Sequence, residues 1–227
     1  GLKQMGESLI NEIENSSFPM LRKIKWRNTE LEFNNVSSLI SSLDLMSSHN
    51  YLERSQDGSD ISILKYITAE SPESMSELDK DDVKLLWEAC QIPDFRKISN
   101  QDHAGLVMKI FEFVRAKGFI PSDWVQMEIN RLDNVQGDID ILSKRVSFIR
   151  TWSFIANISK WLSDGEYFVG ITRAIEDKLS DALHIKLTQR FVDLRRSVLI
   201  KKGMTENFDS KDFELRDDNC LYIKRHL

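Results

Sequence analysis

The sequence predicts a mainly α fold, a helical bundle with one or two small β-hairpins. Apolar residues recur at helical spacing through most of the 227 residues and define roughly eight candidate helices. Strand-like patterns are confined to two short stretches. The chain is long enough to bury a sizeable core, and its 41% hydrophobic and 30% charged residues are typical of a globular protein.

Four candidate helices lie in the first half of the chain. They span about 6–14, 36–46, 60–70 and 78–90. Asn34 or Asn35 is a suitable N-cap for the second. Pro93 ends the fourth, because the residue before a proline disfavours helical backbone. Residues 47–60 and 71–74 are rich in small polar side chains and are predicted to be surface connections.

Two helices in the middle of the chain are predicted from residues that are typical of helix termini. Ser99 and Asp102 have the spacing of a capping box, with Asp in place of the usual Glu. The helix that they begin ends at Gly118, the residue type expected at a left-handed terminus. Ser122 begins the next helix, which reaches about Asp133.

The helix predicted over 138–157 has an apolar arc of roughly 200° when its residues are placed at 100° intervals. So broad an arc requires several neighbours and predicts a central helix of the bundle. Trp152 lies on this arc and is interpreted as a core residue. Arg145 falls within the same arc, where it would form a buried ion pair. Phe154 falls on the polar side.

A long last helix is predicted over 171–202. Apolar residues occupy every fourth position: Ile171, Ile175, Leu179, Leu183, Leu187 and Phe191. Because one turn has 3.6 residues, this repeat rotates about the axis by about 40° at each step. We therefore expect this helix to cross the bundle and to contact different elements along its length.

Two β-hairpins are predicted. Residues 21–26 and 30–33 alternate in polarity on either side of a short turn. Residues 213–216 and 220–223 flank three acidic or amide residues. A lone hairpin is at best marginally stable, so the sequence is expected to end at the start of a further β-containing module.

Charge is unevenly distributed, although the net charge of −5 argues mildly against nucleic acid. Residues 51–88 hold ten acidic and four basic residues, whereas residues 141–161 hold four basic residues and no acidic one. Residues 178–202 hold seven basic residues against two acidic ones. Local patches of this kind decide what a protein surface can bind.

The motifs of a self-sufficient NTP-driven motor are missing. There is no GxxxxGK(S/T) phosphate loop and no GxGxxG or GxSxG motif, and the four histidines lack metal-ligand spacing. No stretch approaches the roughly 20 apolar residues of a membrane span. Cys90 and Cys220 are interpreted as reduced thiols in a cytoplasmic setting. We expect no catalytic residue, cofactor or metal site in this chain, and no membrane partner.

Basic residues interleaved with aromatics supply what single-stranded nucleic acid requires: cations along the phosphates and flat surfaces for the bases. One such segment contains Arg145, Arg150, Trp152, Phe154, Lys160 and Trp161. The long helix adds Lys186, Arg190, Arg195 and Arg196. The alternative interpretation is structural, because the basic residues of 178–202 are spread around the helix as ordinary solvated charge is.

Six segments resemble segments of a known family. They are residues 18–28, 85–95, 137–140, 149–157, 177–184 and 187–199. They are similar to the region beyond the second motor lobe in a group of bacterial helicases. That group resembles the mitochondrial degradosome RNA helicase, a DExH-type member of superfamily two. The similarity is strongest in 149–157 and 177–184 and covers roughly residues 5–203.

The resemblance implies a parent protein with two RecA-like lobes that hydrolyse ATP with Mg, followed by helical regions that complete the nucleic-acid channel. Residues 1–48 would form a helix, a short β-hairpin and a helix adjoining the second RecA-like lobe. Residues 49–203 would form the helical accessory bundle, and residues 204–227 the start of a β-containing module. None of the ATP-binding motifs lies in this sequence, so no catalytic residue is carried over.

We therefore predict a non-catalytic accessory region that packs on the motor lobes and borders single-stranded RNA or DNA. The residues predicted to contact phosphates or the lobes are Arg150, Lys186, Arg190, Arg195 and Arg196, and Phe154 is the predicted exposed aromatic surface. The alternative is a protein-interaction module. In that case the acidic stretch 51–88 would recruit a partner such as a ribonuclease, and the basic helices would only dock the motor lobes.

Overall fold

The computed structural model describes residues 15, 24–97, 99–201, 213–215 and 221–223, with side chains described up to residue 195. Within these residues the fold is mainly α, as predicted. The helices are α1 (Val36–Leu43), α2 (Ser59–Glu70), α3 (Pro72–Ser76), α4 (Lys80–Cys90), α5 (Asn100–Lys117), α6 (Ser122–Asn130), α7 (Ile139–Ala156) and α8 (Gly165–Lys201). The helix predicted over 6–14 lies outside the described residues.

Four short strands form two separate two-stranded sheets. β1 (Ile24–Trp26) pairs in parallel with β2 (Leu52–Arg54), and β3 (Phe213–Leu215) pairs in antiparallel fashion with β4 (Leu221–Ile223). The antiparallel pair predicted near the end of the sequence is therefore confirmed. The hairpin predicted within 21–33 is wrong, because β1 finds its partner 28 residues further along the chain.

Local capping chemistry sets several helix boundaries. The side chains of Asn35, Asp79 and Asp138 accept hydrogen bonds of 2.8–2.9 Å from first-turn backbone N–H groups of α1, α4 and α7. Ser99 Oγ accepts a 3.1 Å hydrogen bond from the backbone N–H of Asp102 and donates one of 2.7 Å to its carboxylate. The N-cap predicted at Ser99 is thus confirmed, but Asp102 accepts from the Ser99 hydroxyl, whereas in a capping box it would accept from the backbone N–H of Ser99.

A glycine and a proline set two further boundaries. Gly118 follows α5 with a φ of 78°, which confirms the predicted left-handed terminus. Residues 71–74 are exposed, as predicted for a surface connection, but residues 72–74 form part of the short helix α3 and Ser71 is its N-cap. Pro72 occupies its first turn, where a missing N–H removes no helical hydrogen bond.

The chain divides into two compact units, the first of which contains residues 1–93 and 98–116. Its core includes apolar side chains that have no exposed surface: Leu39, Leu64, Val83, Leu86, Val107 and Ile110. The domain boundary predicted at 48/49 falls inside this unit and separates the two paired strands β1 and β2. The division seen in the structure therefore differs from the three predicted segments.

Two cations and two carboxylates form a network in the first unit. Arg54 and Lys65 each pair with both Asp44 and Asp57, and Lys65 Nζ lies 3.0 Å from Asp44 Oδ1 and 2.9 Å from Asp57 Oδ2. The hydrogen bond between Lys65 and Asp57 lowers the pKa of Asp57 and raises the pKa of Lys65. Both shifts favour the charged forms. The ion pairs of this network join the end of α1 to β2 and α2.

Basic residues in and next to β1 are also paired within this unit. Lys25 Nζ lies 2.9 Å from Glu53 Oε2 on β2. Arg27 Nη1 lies 2.7 Å from Asp60 Oδ2, and its guanidinium carbon is 5.2 Å from the ring centroid of Trp87. These cations hold β1 against β2, α2 and α4.

The second unit contains residues 94–97 and 117–227. Its longest helices, α7 and α8, pack along each other. The buried face of α7 includes Leu142, Val146, Ile149, Trp152 and Ile155. Trp152 has no exposed surface, and its ring centroid lies 5.3 Å from that of Trp124 in an edge-to-face arrangement. The interpretation of Trp152 as a core residue is confirmed.

Arg145 does not form the buried ion pair expected from its place on the apolar arc. Its Nη1 donates a hydrogen bond of 2.6 Å to the backbone carbonyl of Asn134 and another to the carbonyl of Gln136. The side chain therefore holds the loop that precedes α7. Helical periodicity predicts on which side of a helix a side chain lies. It cannot predict that the preceding loop folds back to contact that side chain.

α8 has 37 residues whereas α7 has 18. At 1.5 Å per residue they are about 55 Å and about 27 Å long. Among the side chains of α8 that the structure describes, Phe168, Thr172, Ile175 and Leu179 are buried, and residues 184–191 are all exposed. The expectation that this helix contacts different elements along its length is wrong for residues 184–191, because these side chains are all exposed.

Asp57→Asn should lower the free energy of unfolding by about 1 kcal/mol at neutral pH, because it removes the carboxylate that faces Arg54 and Lys65. The pKa of Asp57 is lowered in the folded state. Its stabilisation is therefore present above the unfolded-state pKa and is lost as the pH falls through the folded-state value. Urea unfolding should show a difference from wild type that is constant above about pH 5 and shrinks below about pH 4.

The control for this experiment is Glu73→Gln, which removes an exposed carboxylate from α3. It should leave the free energy of unfolding within about 0.5 kcal/mol of wild type at each pH. A difference between Asp57→Asn and wild type that grows on acidification would contradict the role given to Lys65.

Cys90 should not react with iodoacetamide while the protein is folded. The thiol is buried, and this burial raises its pKa to about 12, so very little thiolate forms near neutral pH. In a Cys220→Ser variant, labelling should proceed at the rate of unfolding and become fast in denaturant. Rapid labelling of the folded variant would show that the site is accessible.

Candidate nucleic-acid interface

The first half of α8 is held by burial of one face. Phe168, Thr172, Ile175 and Leu179 follow at intervals of four, three and four residues, which places them on one side of the helix. The hydroxyl of Thr172 donates a 2.8 Å hydrogen bond to the carbonyl of Phe168, so the polar atom on this face is satisfied. The rest of α8 is positioned by this packed segment.

The second half of α8 carries the predicted cations. Lys186, Arg190 and Arg195 are exposed, and none of the ion pairs found among the described residues involves them. Arg196 lies in the helical backbone of α8, but its side chain is outside the description. The structure therefore brings Lys186, Arg190 and Arg195 together on one solvent-exposed segment.

Two open grooves border these cations. One has a volume of about 400 Å³ and is lined by Lys186, Gln189, Arg190, Asp193 and Leu194. The other has a volume of about 450 Å³ and lies where Lys186 and Arg190 meet residues 137–140 at the start of α7. Lys186 and Arg190 line both grooves, which makes them well placed among the described cations for contact with a phosphate chain.

Carboxylates limit the positive potential of these grooves. Asp193 lines the first groove, and Asp138 and Asp140 line the second. Asp138 also accepts a 2.8 Å hydrogen bond from the backbone N–H of Ile141, so its carboxylate caps α7. A surface with this balance of charges would bind a polyanion weakly and with a strong dependence on salt.

An exposed aromatic ring lies one turn beyond Lys186. Phe191 is 43% exposed, and the guanidinium carbon of Arg195 lies 5.3 Å from its ring centroid. A planar cation over an aromatic ring is a favourable contact, and both groups present flat surfaces on which a base could stack.

Arg150 and Phe154 lie elsewhere. Arg150 Nε is 2.7 Å from Glu176 Oε1, so its guanidinium joins α7 to α8. Phe154 is 39% exposed, as its place on the polar side predicts. Glu176 and Arg190 are separated by about 21 Å along α8 at 1.5 Å per residue. The residues predicted to contact nucleic acid therefore fall into two separate places.

Gln189 is not singled out by the sequence pattern, and the pattern places Phe191 on an apolar repeat expected to contact other elements. Phe191 occupies a position of the four-residue repeat, and the repeat alone indicates a buried residue. The sequence feature that indicates exposure of Phe191 is the length of the predicted helix 171–202. No other candidate helix is nearly as long. Part of such a helix must extend past its neighbours and leave apolar residues in solvent.

Other kinds of site are not found among the described residues. No group of three or more His, Cys, Asp or Glu side chains could hold a metal ion there. His103 is buried with its Nε2 3.0 Å from the carbonyl oxygen of Ile92, whereas His49 and His184 are exposed. No helix in the described ranges has the length and apolar character needed to cross a membrane.

Comparison of the chain with protein-family models, with curated proteins and with solved structures finds no match.

The pair between Arg150 and Glu176 should contribute about 0.2–1 kcal/mol, the range of exposed ion pairs. A double-mutant cycle of Arg150→Ala and Glu176→Ala, measured by urea unfolding, gives this coupling directly. A coupling of zero within error would mean that Glu176 does not hold Arg150 and that its guanidinium is available for another contact.

Proposed function

We propose that this chain is an accessory, non-catalytic region of an ATP-dependent superfamily-two helicase. In this proposal it packs on the RecA-like motor lobes of the same parent chain and borders the path of single-stranded RNA or DNA. ATP and Mg would bind in those lobes. The observation that carries the proposal is the exposed half of α8, where Lys186 and Arg190 line open grooves and Arg195 is exposed on the same segment.

The charges around these grooves favour a weak accessory contact with the nucleic acid over a high-affinity binding site. Lys186 and Arg190 lie four residues apart, so they share a face of α8 and can follow successive phosphates. The nearby Asp138, Asp140 and Asp193 reduce the net attraction. Binding would therefore be weak in isolation and would depend on the motor lobes to hold the strand.

The alternative, a protein-interaction module that uses the acidic stretch 51–88, has less support. Several acids of that stretch pair with cations of the chain itself. These acids are Glu53, Asp57, Asp60 and Asp82. Each internal pair reduces the negative potential that could attract a partner such as a ribonuclease.

A cytoplasmic setting is part of the proposal. Cys90 is a free, buried thiol, and free thiols persist where the surroundings are reducing. The same setting would supply both ATP and single-stranded RNA or DNA to the parent protein.

Charge reversal should weaken binding to single-stranded nucleic acid. Lys186→Glu and Arg190→Glu should each reduce the affinity for labelled poly-U and poly-dT strands by roughly tenfold at low salt. Each should also lower the slope of log K against log salt by about 0.7, the value for one phosphate contact on a single strand. Fluorescence anisotropy over a salt series measures both quantities.

Arg173→Glu is the matched control, since Arg173 is an exposed residue of the packed half of α8. This substitution changes the net charge by the same amount as Lys186→Glu. Arg173 lies about 20 Å or more from the grooves along α8. The proposal fails if Arg173→Glu weakens binding as much as Lys186→Glu, or if neither strand binds wild-type protein at low salt.

A further inference from the structure

The exposed half of α8 carries an apolar stripe. Leu187, Phe191 and Leu194 are 47%, 43% and 58% exposed. Their spacing of four and three residues places them within an arc of about 60° at 100° per residue. This spacing is that of a helix that packs against another helix.

The stripe does not continue the face that α8 buries against α7. On a helical wheel it lies about 100° from the direction shared by Phe168, Thr172, Ile175 and Leu179. In the exposed half, the residues on the same side of the helical wheel as the buried face are Lys186, Arg190 and Asp193. A longer α7 would therefore still leave the stripe uncovered, and covering it requires an element that approaches from another side.

Positive charge borders the stripe on both sides. Arg190 lies about 40° beyond Leu194, and Arg195 lies about 40° beyond Phe191. The one acidic residue between positions 184 and 195 is Asp193, which lies about 100° from the nearer edge of the stripe. The apolar surface is thus flanked by cations.

We infer that this stripe is a docking site for an acidic amphipathic helix of a partner protein. Apolar side chains of the partner pack on Leu187, Phe191 and Leu194, and carboxylates at its flanking positions pair with Arg190 and Arg195. The inference goes beyond the proposed function, because it requires neither nucleic acid nor motor lobes.

Charge excludes a second copy of this chain as the preferred occupant. When two copies of the stripe face each other, Arg190 meets Arg190 or Arg195 of the other copy in either orientation. Like charges at these positions destabilise the pair. An acidic partner turns the same cations into attractive contacts.

The test uses fluorescein-labelled helical peptides of three heptads and the full chain. One peptide has Leu at positions a and d and Glu at e and g, and the matched peptide has Lys at e and g. The Glu peptide should bind with a Kd on the order of 10–100 µM, because the stripe is short. The Lys peptide should bind at least tenfold more weakly.

The variant Leu187→Gln/Phe191→Gln removes the stripe and keeps a residue type with high helix propensity. It should weaken binding of the Glu peptide at least tenfold. Ile185→Gln is the matched control, because Ile185 is 56% exposed but lies on the opposite side of α8. It should leave the affinity unchanged within twofold.

Four results would overturn the inference. These are no binding of the Glu peptide, equal binding of both peptides, self-association of wild type that the double variant abolishes, or a Tm of the monomeric double variant more than about 3 °C below wild type. The third result identifies a second copy as the occupant. The fourth shows that other residues of the chain cover the stripe. Binding of poly-U by wild type and by Lys186→Glu, which keeps the stripe intact, tests the proposed function separately.

Discussion

The difference in length between α7 and α8 determines how much of α8 is exposed to solvent. A helix of 18 residues can cover only about half of one with 37. Burial of Phe168, Ile175 and Leu179 stabilises the covered half and sets the direction of the rest. The cations and the apolar stripe lie on the uncovered half, and one groove lies where Lys186 and Arg190 meet residues 137–140 at the start of α7. The position of each depends on this packed segment.

The described cations have two roles. In the first unit, Arg27, Arg54 and Lys65 are paired with carboxylates that the same unit supplies, and they connect strands to helices. In the second, Arg150 is likewise paired with Glu176, whereas Lys186 and Arg190 line open grooves. A net charge of −5 conceals this contrast, because the total does not distinguish a cation engaged in the fold from one that faces solvent.

Features specified by neighbours in sequence could be predicted, and features specified by distant residues could not. The capping side chain of Asn35 and the left-handed Gly118 act within one turn, and both were found where local patterns indicate them. The parallel pairing of β1 with β2 and the contact of Arg150 with Glu176 join residues 26 or more positions apart. Periodicity identified Phe191 as apolar but could not show that nothing in α7 reaches it.

The uncovered half of α8 also has a kinetic consequence. Its backbone hydrogen bonds are not protected by tertiary packing, so residues 184–195 can open by local helix–coil transitions without unfolding of the second unit. Amide hydrogens there would exchange with solvent faster than those around Leu179, and the boundary between the two rates would mark where α7 ceases to cover α8. Any ligand that binds only the helical form of this segment would slow that exchange in proportion to its occupancy.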